Sequence, residues 1–214
     1  MGADDDCPDD ATTLAAGDFS TWLTGMQAAI RGEAESDVPC GECTACCTAS
    51  QFIHIAPDEI DALAHIPKAL LFPAPRMPKG HVLMGYDEHG RCPMLIDDRC
   101  SVYAHRPRTC RTYDCRVFAA AGIEPDDADK ALIAAQVRRW RFSHPHDADA
   151  AEHLAVRAAA SALADHPETL PAGDRPMNAT HLAVLAVEKH RTFLPGPSSS
   201  RQTDDPDLPP RGSA

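Results

Sequence analysis

The chain has 214 residues, with 20 Lys+Arg against 32 Asp+Glu and a formal net charge of −12, a size suited to one domain. Its acidity argues against a nucleic-acid backbone as the main partner, since that binding relies on Lys and Arg displacing counterions, and no apolar run approaches the length of a membrane-spanning helix. Leu, Ile, Val and Phe number only 37, about 17% of the chain, a share that at this charge is associated with disorder.

Much of the remaining apolar content is alanine, which favours helix but buries little surface, so hydrophobic burial by itself makes a weak core. Residues 1–12 are polar and acidic without periodicity and read as a disordered arm. They show neither the basic start nor the apolar run of a secretory signal. A cytoplasmic chain is therefore expected, and in that reducing compartment clustered thiols bind metal more often than they pair as disulfides. Cys7 lies in this arm, apart from the other cysteines. Residues 13–39 are expected to form a helix and a linker: Asp18 suits an N-cap, Trp22, Met26 and Ile30 recur every four residues on one face, and Gly32 suits a stop.

Residues 40–118 form the expected cysteine-cluster metal-binding domain. Cys40 to Cys47 is short, small and polar, a loop that another force must order. A strand is expected at 51–55, followed by a helix from Pro57 to about His65 with Asp58 and Glu59 at its positive end. The prolines between 67 and 78 end it. Residues 81–87, 92–96 and 99–103 read as an antiparallel meander divided by turns at His89-Gly90 and Asp97-Asp98. Residues 119–194 form a helical extension. Its helices are expected at 126–142, with Ile133, Val137 and Trp140 on one face, at 149–164, with an Asp149/Glu152 capping pair, and at 178–190. Residues 195–214 read as a disordered tail. The expected fold class is α+β: a small irregular metal-stabilised domain with a short antiparallel β meander, packed with several α-helices.

Eight of the nine cysteines lie between residues 40 and 115. Cys40, Cys43 and Cys46 follow a Cys-x2-Cys-x2-Cys spacing, which lets a turn of backbone aim sulfurs at a common ion, as in zinc and iron–sulfur sites. Cys47 follows at once, and adjacent residues project differently, so Cys46 and Cys47 serve different atoms or two neighbouring sites. Cys92, Cys100, Cys110 and Cys115 complete eight thiols. Eight divide into two four-sulfur zinc sites, or into one four-cysteine iron–sulfur cluster and a second centre. Three thiols from one loop with a fourth from afar is the bacterial ferredoxin spacing, which favours iron–sulfur over zinc. His54, His65, His81, His89 and His105 show no ligand spacing with a thiol and read as surface or core histidines. Tyr103 and Tyr113 read as packing residues.

The run Cys40 to Cys47, then Cys92-Pro93-Met94-Leu95, then Cys100 to Arg111 with Cys115 resembles the CxxCxxCC cysteine-cluster family, zinc- or iron-chelating domains often called YkgJ-like. The resemblance covers about residues 40 to 116. It implies that the eight cysteines hold metal, and it places Arg106 and Arg111 on the family's motif. Guanidinium groups there could offset thiolate charge and donate hydrogen bonds to sulfur, the alternative being pairing with surface acids.

Segment charges fit this: residues 1–39 carry −8, residues 40–118 are neutral and hold 16 of the 37 large apolar residues. The function expected is a metal-binding protein in which the metal at least organises the fold, with a metal ion as partner, no nucleic acid and no membrane. The same cluster occurs in flagellin-lysine N-methylases, so an iron–sulfur enzyme acting on a protein side chain is the alternative that the resemblance implies. Metal storage or delivery is a third. No dinucleotide loop and no Cys-x3-Cys-x2-Cys radical-enzyme loop is present.

Overall fold

The computed structural model describes residues 13–36, 38–125 and 128–195. The acidic arm with Cys7 and the expected tail beyond Pro195 lie outside the described residues. The fold is mixed α and β, with seven α-helices and small sheets among the described residues, around two apolar clusters.

The larger cluster is built by helices. Strand β1 (Leu14–Asp18) runs directly into α1 (Phe19–Ile30), which buries Phe19, Trp22, Leu23, Met26 and Ala29 along one stripe. Three- and four-residue spacing puts these side chains on one face. Helices α4 (Arg116–Ala121), α5 (Ala131–Arg139), α6 (Asp147–Asp165) and α7 (Ala179–Lys189) complete the cluster. Fully buried Ala120, Ala159, Ala183 and Ala186 let these helices approach closely. Gly122, at φ +70°, ends α4 in the left-handed conformation. No described helix is long and apolar enough to cross a membrane.

The helix expected at 126–142 is shorter. Residues 128–130 form a 3-10 turn, α5 stops at Arg139, and Trp140–Ser143 form strand β7 parallel to β1, with Leu14 opposite Trp140 and Asp18 opposite Ser143. Local periodicity could not reveal a partner strand more than a hundred residues away, and Trp140 and Phe142 suit a strand as well as a helix. The capping pair is also displaced. Asp149 is the third residue inside α6: its Oδ2 accepts the His146 N–H at 2.8 Å, while Oδ1 accepts the Ser20 N–H at 2.9 Å at the start of α1. Ser20 Oγ donates to Glu152 at 2.7 Å. One buried carboxylate thus serves two helix N-termini.

The smaller cluster holds Ile55, Ala62, Ile66, Met84, Met94 and Val102. The expected meander divides. Strand β4 (Val82–Met84) lies between β2 (Ile53–Ile55) and β3 (Leu71–Pro73), all antiparallel, while β5 (Leu95–Ile96) and β6 (Arg99–Cys100) pair only with each other. β3 comes from the proline-rich stretch; it is an edge strand, where a proline's missing N–H is tolerated. Two short helices flank this half, α2 (Ile60–His65) and α3 (Arg108–Thr112).

Hydrogen bonds from Ser20 foremost, and from His146, hold the Asp149 carboxyl below its ordinary value. A carboxyl depressed in the folded state stabilises above its unfolded pKa, and that stabilisation is lost as pH falls through the folded value. Asp149→Asn should therefore lower the melting temperature at pH 7, with the gap to wild type closing as pH falls below about 4. Thermal unfolding across that range checks this; a gap independent of pH would assign Asp149 a purely steric role.

Candidate metal centre

Each of the eight cysteines from Cys40 to Cys115 is a free thiol; Cys115 is buried and the others are partly buried. In the Cys40–Cys47 loop, Cys43 N–H closes a turn onto the Cys40 carbonyl at 3.0 Å, helped by Gly41 at φ +57°, and a 3-10 turn at Ala45–Thr48 carries Cys46 and Cys47. Cys92 N–H donates to the Cys47 carbonyl at 2.7 Å, and Ser50 N–H to Gly90 at 3.0 Å, so the Cys92 segment is strapped to this loop. Asp87 Oδ1 accepts the N–H groups of His89 and Arg91, both at 2.9 Å, and shapes that strap.

Cys100 sits in β6, whose hairpin turns through Asp97 and Asp98 at φ +49° and +56°, the geometry of a two-residue hairpin loop. Cys110 rides on α3. The buried Glu59 carboxylate accepts the N–H groups of Ala56 and Arg108, and Thr109 Oγ1 donates to the His54 carbonyl at 2.7 Å, which fixes α3 against β2. Cys115 caps α4.

The charges that act on each sulfur outline two adjoining neighbourhoods of thiols. Burial raises the Cys46 thiol well above its usual value, and Cys115, Cys40, Cys47 and Cys43 raise it further. Cys115 is pushed up to about 12 by burial first, with Cys40 and Cys43 among its charged neighbours. Cys40 is raised by burial and then by Cys43. In the other neighbourhood, burial pushes Cys110 up to about 12, followed by Cys47, Cys92 and Cys100. Burial takes Cys47 up to about 11, followed by Cys92, Cys100 and Cys43. Cys92 is raised by burial and by Cys100. Cys43 and Cys115 pack with the larger apolar cluster, and Cys92 and Cys100 with the smaller. Cys47 acts on Cys46, and Cys43 on Cys47, so the two sets adjoin at the Cys46–Cys47 peptide.

Cations and dipoles surround them. Arg106 lowers the thiols of Cys40, Cys47 and Cys110, and its guanidinium lies 3.8 Å from the centre of the Tyr103 ring. Arg111 instead pairs with Glu35, and its Nε is buried with no hydrogen-bond partner among the described residues. Trp140 Nε1–H points at Cys115 Sγ at 3.3 Å, a donor to sulfur that counteracts burial. Tyr113, between the sulfurs and the larger cluster, is pushed far up by burial and then by Cys46 and Cys115.

Sequence reasoning missed the strongest polar feature, at the two residues flanking Cys115. Asp114 and Arg116 are both buried, at 2% and 8% exposure. Arg116 Nη2 donates to Asp114 Oδ2 at 2.8 Å, Trp22 Nε1 donates to the same oxygen at 2.9 Å, and Arg116 Nη1 reaches the Ala16 carbonyl at 3.0 Å. This network ties β1 and α1 to the peptide that carries Cys115. The alternation Asp-Cys-Arg beside a candidate ligand was the available signal. Asp61, His65 and His105 place their ligand atoms within 4.8 Å of one another.

Soft thiolates in groups of four suit zinc and iron–sulfur centres. Residues 39–133 match the model of the CxxCxxCC family, described as "Putative zinc- or iron-chelating domain". No curated protein and no solved structure matches the chain. The matched segment contains all eight thiols and both flanking residues of Cys115, and ends in α5.

Removing one partner of a buried ion pair leaves an uncompensated charge, at a cost of about 3–5 kcal/mol. Arg116→Leu should lose about that much by denaturant unfolding of the metal-loaded protein, whereas Trp22→Phe, which deletes one N–H donor and keeps an aromatic ring, should lose about 1–3 kcal/mol. Equal, negligible losses in both would remove the network from the account of stability.

Proposed function

We infer, from the match of residues 39–133 to the model of the CxxCxxCC "Putative zinc- or iron-chelating domain", a metal-binding protein with two four-thiolate centres. Cys40, Cys43, Cys46 and Cys115 hold the first; Cys47, Cys92, Cys100 and Cys110 hold the second. The observation that carries this reading is that Cys43 and Cys115 pack with the larger apolar cluster and Cys92 and Cys100 with the smaller, while the Cys47 carbonyl accepts the Cys92 N–H. The first group combines a Cys-x2-Cys-x2-Cys loop with one remote cysteine, which supports an iron–sulfur cluster; zinc is the alternative at both centres. Arg106 offsets thiolate charge, and Arg111, next to Cys110 in the chain, has a buried Nε–H with no hydrogen-bond partner among the described residues.

The metal supplies stability first. Bound structural zinc contributes on the order of 10 kcal/mol, comparable with the net stability of a domain. Raised thiol pKa values mean that protons compete for the sulfurs, so loading releases protons and weakens as pH falls. A second reading, metal delivery, draws on one feature: Cys40 and Cys43 line an open cleft with Leu14, Glu42, Gln136 and Arg139, which would give a chelator or an acceptor access to the first centre.

Anaerobic purification with elemental analysis and a visible spectrum identifies the metal. A brown protein with iron and sulfide supports the cluster, and a colourless protein with stoichiometric zinc supports the alternative. Cys46→Ser and Cys47→Ser should each lose about half the metal, from different centres, while Cys7→Ser keeps the full complement. If Cys46→Ser and Cys47→Ser both abolish the same single component and spare the rest, the two-centre assignment is wrong. Metal release to a colorimetric chelator should be fast at the first centre under the delivery reading and slow at both under a structural one.

A further inference from the structure

We propose that Asp61, His65 and His105 form a third metal site, on the surface and free of thiolates, for a divalent ion of the zinc class. Among the described residues they are the group whose ligand atoms already converge, within 4.8 Å of one another. Two elements bring them together. Asp61 and His65 stand one turn apart on α2, and His105 ends the 3-10 turn Tyr103–His105 packed against that helix.

The donors are arranged around one carboxylate. His105 Nδ1 lies 2.8 Å from Asp61 Oδ2 and His65 Nδ1 lies 3.5 Å from Oδ1. The two imidazoles stack with centroids 3.4 Å apart and planes within 4°. His65 Nδ1 also donates to the Asp61 carbonyl at 2.9 Å. One ion cannot lie in the planes of both parallel rings, so loading turns the imidazoles apart and replaces the His65 bond to the helix. Neither ring is buried deeply enough to resist that motion.

Donor chemistry selects the ion. Two imidazoles and a carboxylate suit zinc and its neighbours among divalent transition metals, and leave a coordination position for water. The absence of sulfur donors makes an iron–sulfur cluster unsuitable here. Two neutral imidazoles and one carboxylate carry a single negative charge, which a divalent ion reverses. Arg111 also acts on Asp61, and its charge is offset by Glu35. His105 lies between Cys100 and Cys110, so an ion here is held by the same segment that carries two thiols, while sharing none of their ligands.

The test uses full-length protein with its native metal in place, titrated anaerobically with zinc and followed by equilibrium dialysis with elemental analysis. Wild type should bind one equivalent beyond its resident metal, with shifts of the His65 and His105 imidazole resonances. Asp61→Asn and His105→Ala should each weaken that equivalent at least about tenfold and leave the resident metal and the circular dichroism unchanged. His54→Ala, in the separate His54–His81 pair, should bind as wild type. No extra equivalent in wild type, or an extra equivalent unaffected by both site variants, overturns the proposal. So does its loss in His54→Ala.

Discussion

Eight sulfurs gathered into a small protein create an electrostatic demand that shapes everything around them. Burial penalises the thiolate form of Cys40, Cys46, Cys47, Cys92, Cys110 and Cys115, and neighbouring thiolates penalise it again, so without a cation these six remain protonated at neutral pH. A protonated thiol is a small, weakly polar side chain that packs passably. A deprotonated one among three others is tenable only beside positive charge. The surroundings supply some of that charge: Arg106 acts on sulfurs of both groups, Arg116 on Cys40, and the Trp140 N–H on Cys115. These are complements to a metal rather than substitutes, since one or two guanidinium groups cannot neutralise eight thiolates.

The Asp114–Arg116 pair shows how the helical part serves the cysteine part. A buried ion pair is poor evidence of net stability, because desolvation offsets much of the attraction. Its value here is positional. Asp114 accepts from Trp22 on α1 and from Ser36 in the linker, and Arg116 reaches back to Ala16 on β1. The peptide carrying Cys115 is therefore held from three directions before any metal arrives. Cys110, by contrast, is held through Glu59 and Thr109 against the small β layer. The two thiol neighbourhoods lean on different supports.

Legibility in the sequence followed the range of the interactions. Helix α1, with its four-residue repeat of Trp22, Met26 and Ile30, and α7, with Asn178 accepting from His181, could be read locally because their signals lie within a few residues. The hairpin at Asp97-Asp98 was legible for the same reason. What escaped was non-local pairing. β7 exists because β1 lies beside it, and β3 because β4 does, and neither partner leaves a trace in its own segment. The cysteine run announced metal chemistry by spacing alone, yet the way the sulfurs group depended on how Cys92, Cys100, Cys110 and Cys115 return. Asp61, His65 and His105 went unread because ligand spacing was sought against thiols, while their meeting depends on packing between α2 and the turn after β6.

The scarcity of large apolar residues takes on a different sense once the two apolar clusters are located. The smaller cluster has six buried residues and alanine fills 10 of the 22 in the larger, so large apolar side chains are few in both. The cysteine loop lies where the halves meet. Under the proposed assignment Cys46 belongs to the centre on the helical side and Cys47 to the centre on the β side, with a single peptide bond between them. Binding at one centre fixes the backbone from which the other takes a ligand, and the Cys92 N–H to Cys47 carbonyl bond carries that constraint onward. Under that assignment, metal at this junction would do what a larger shared core does in other proteins of this size. The coupling also follows from geometry rather than from any long-range path, because adjacent residues cannot be ordered independently.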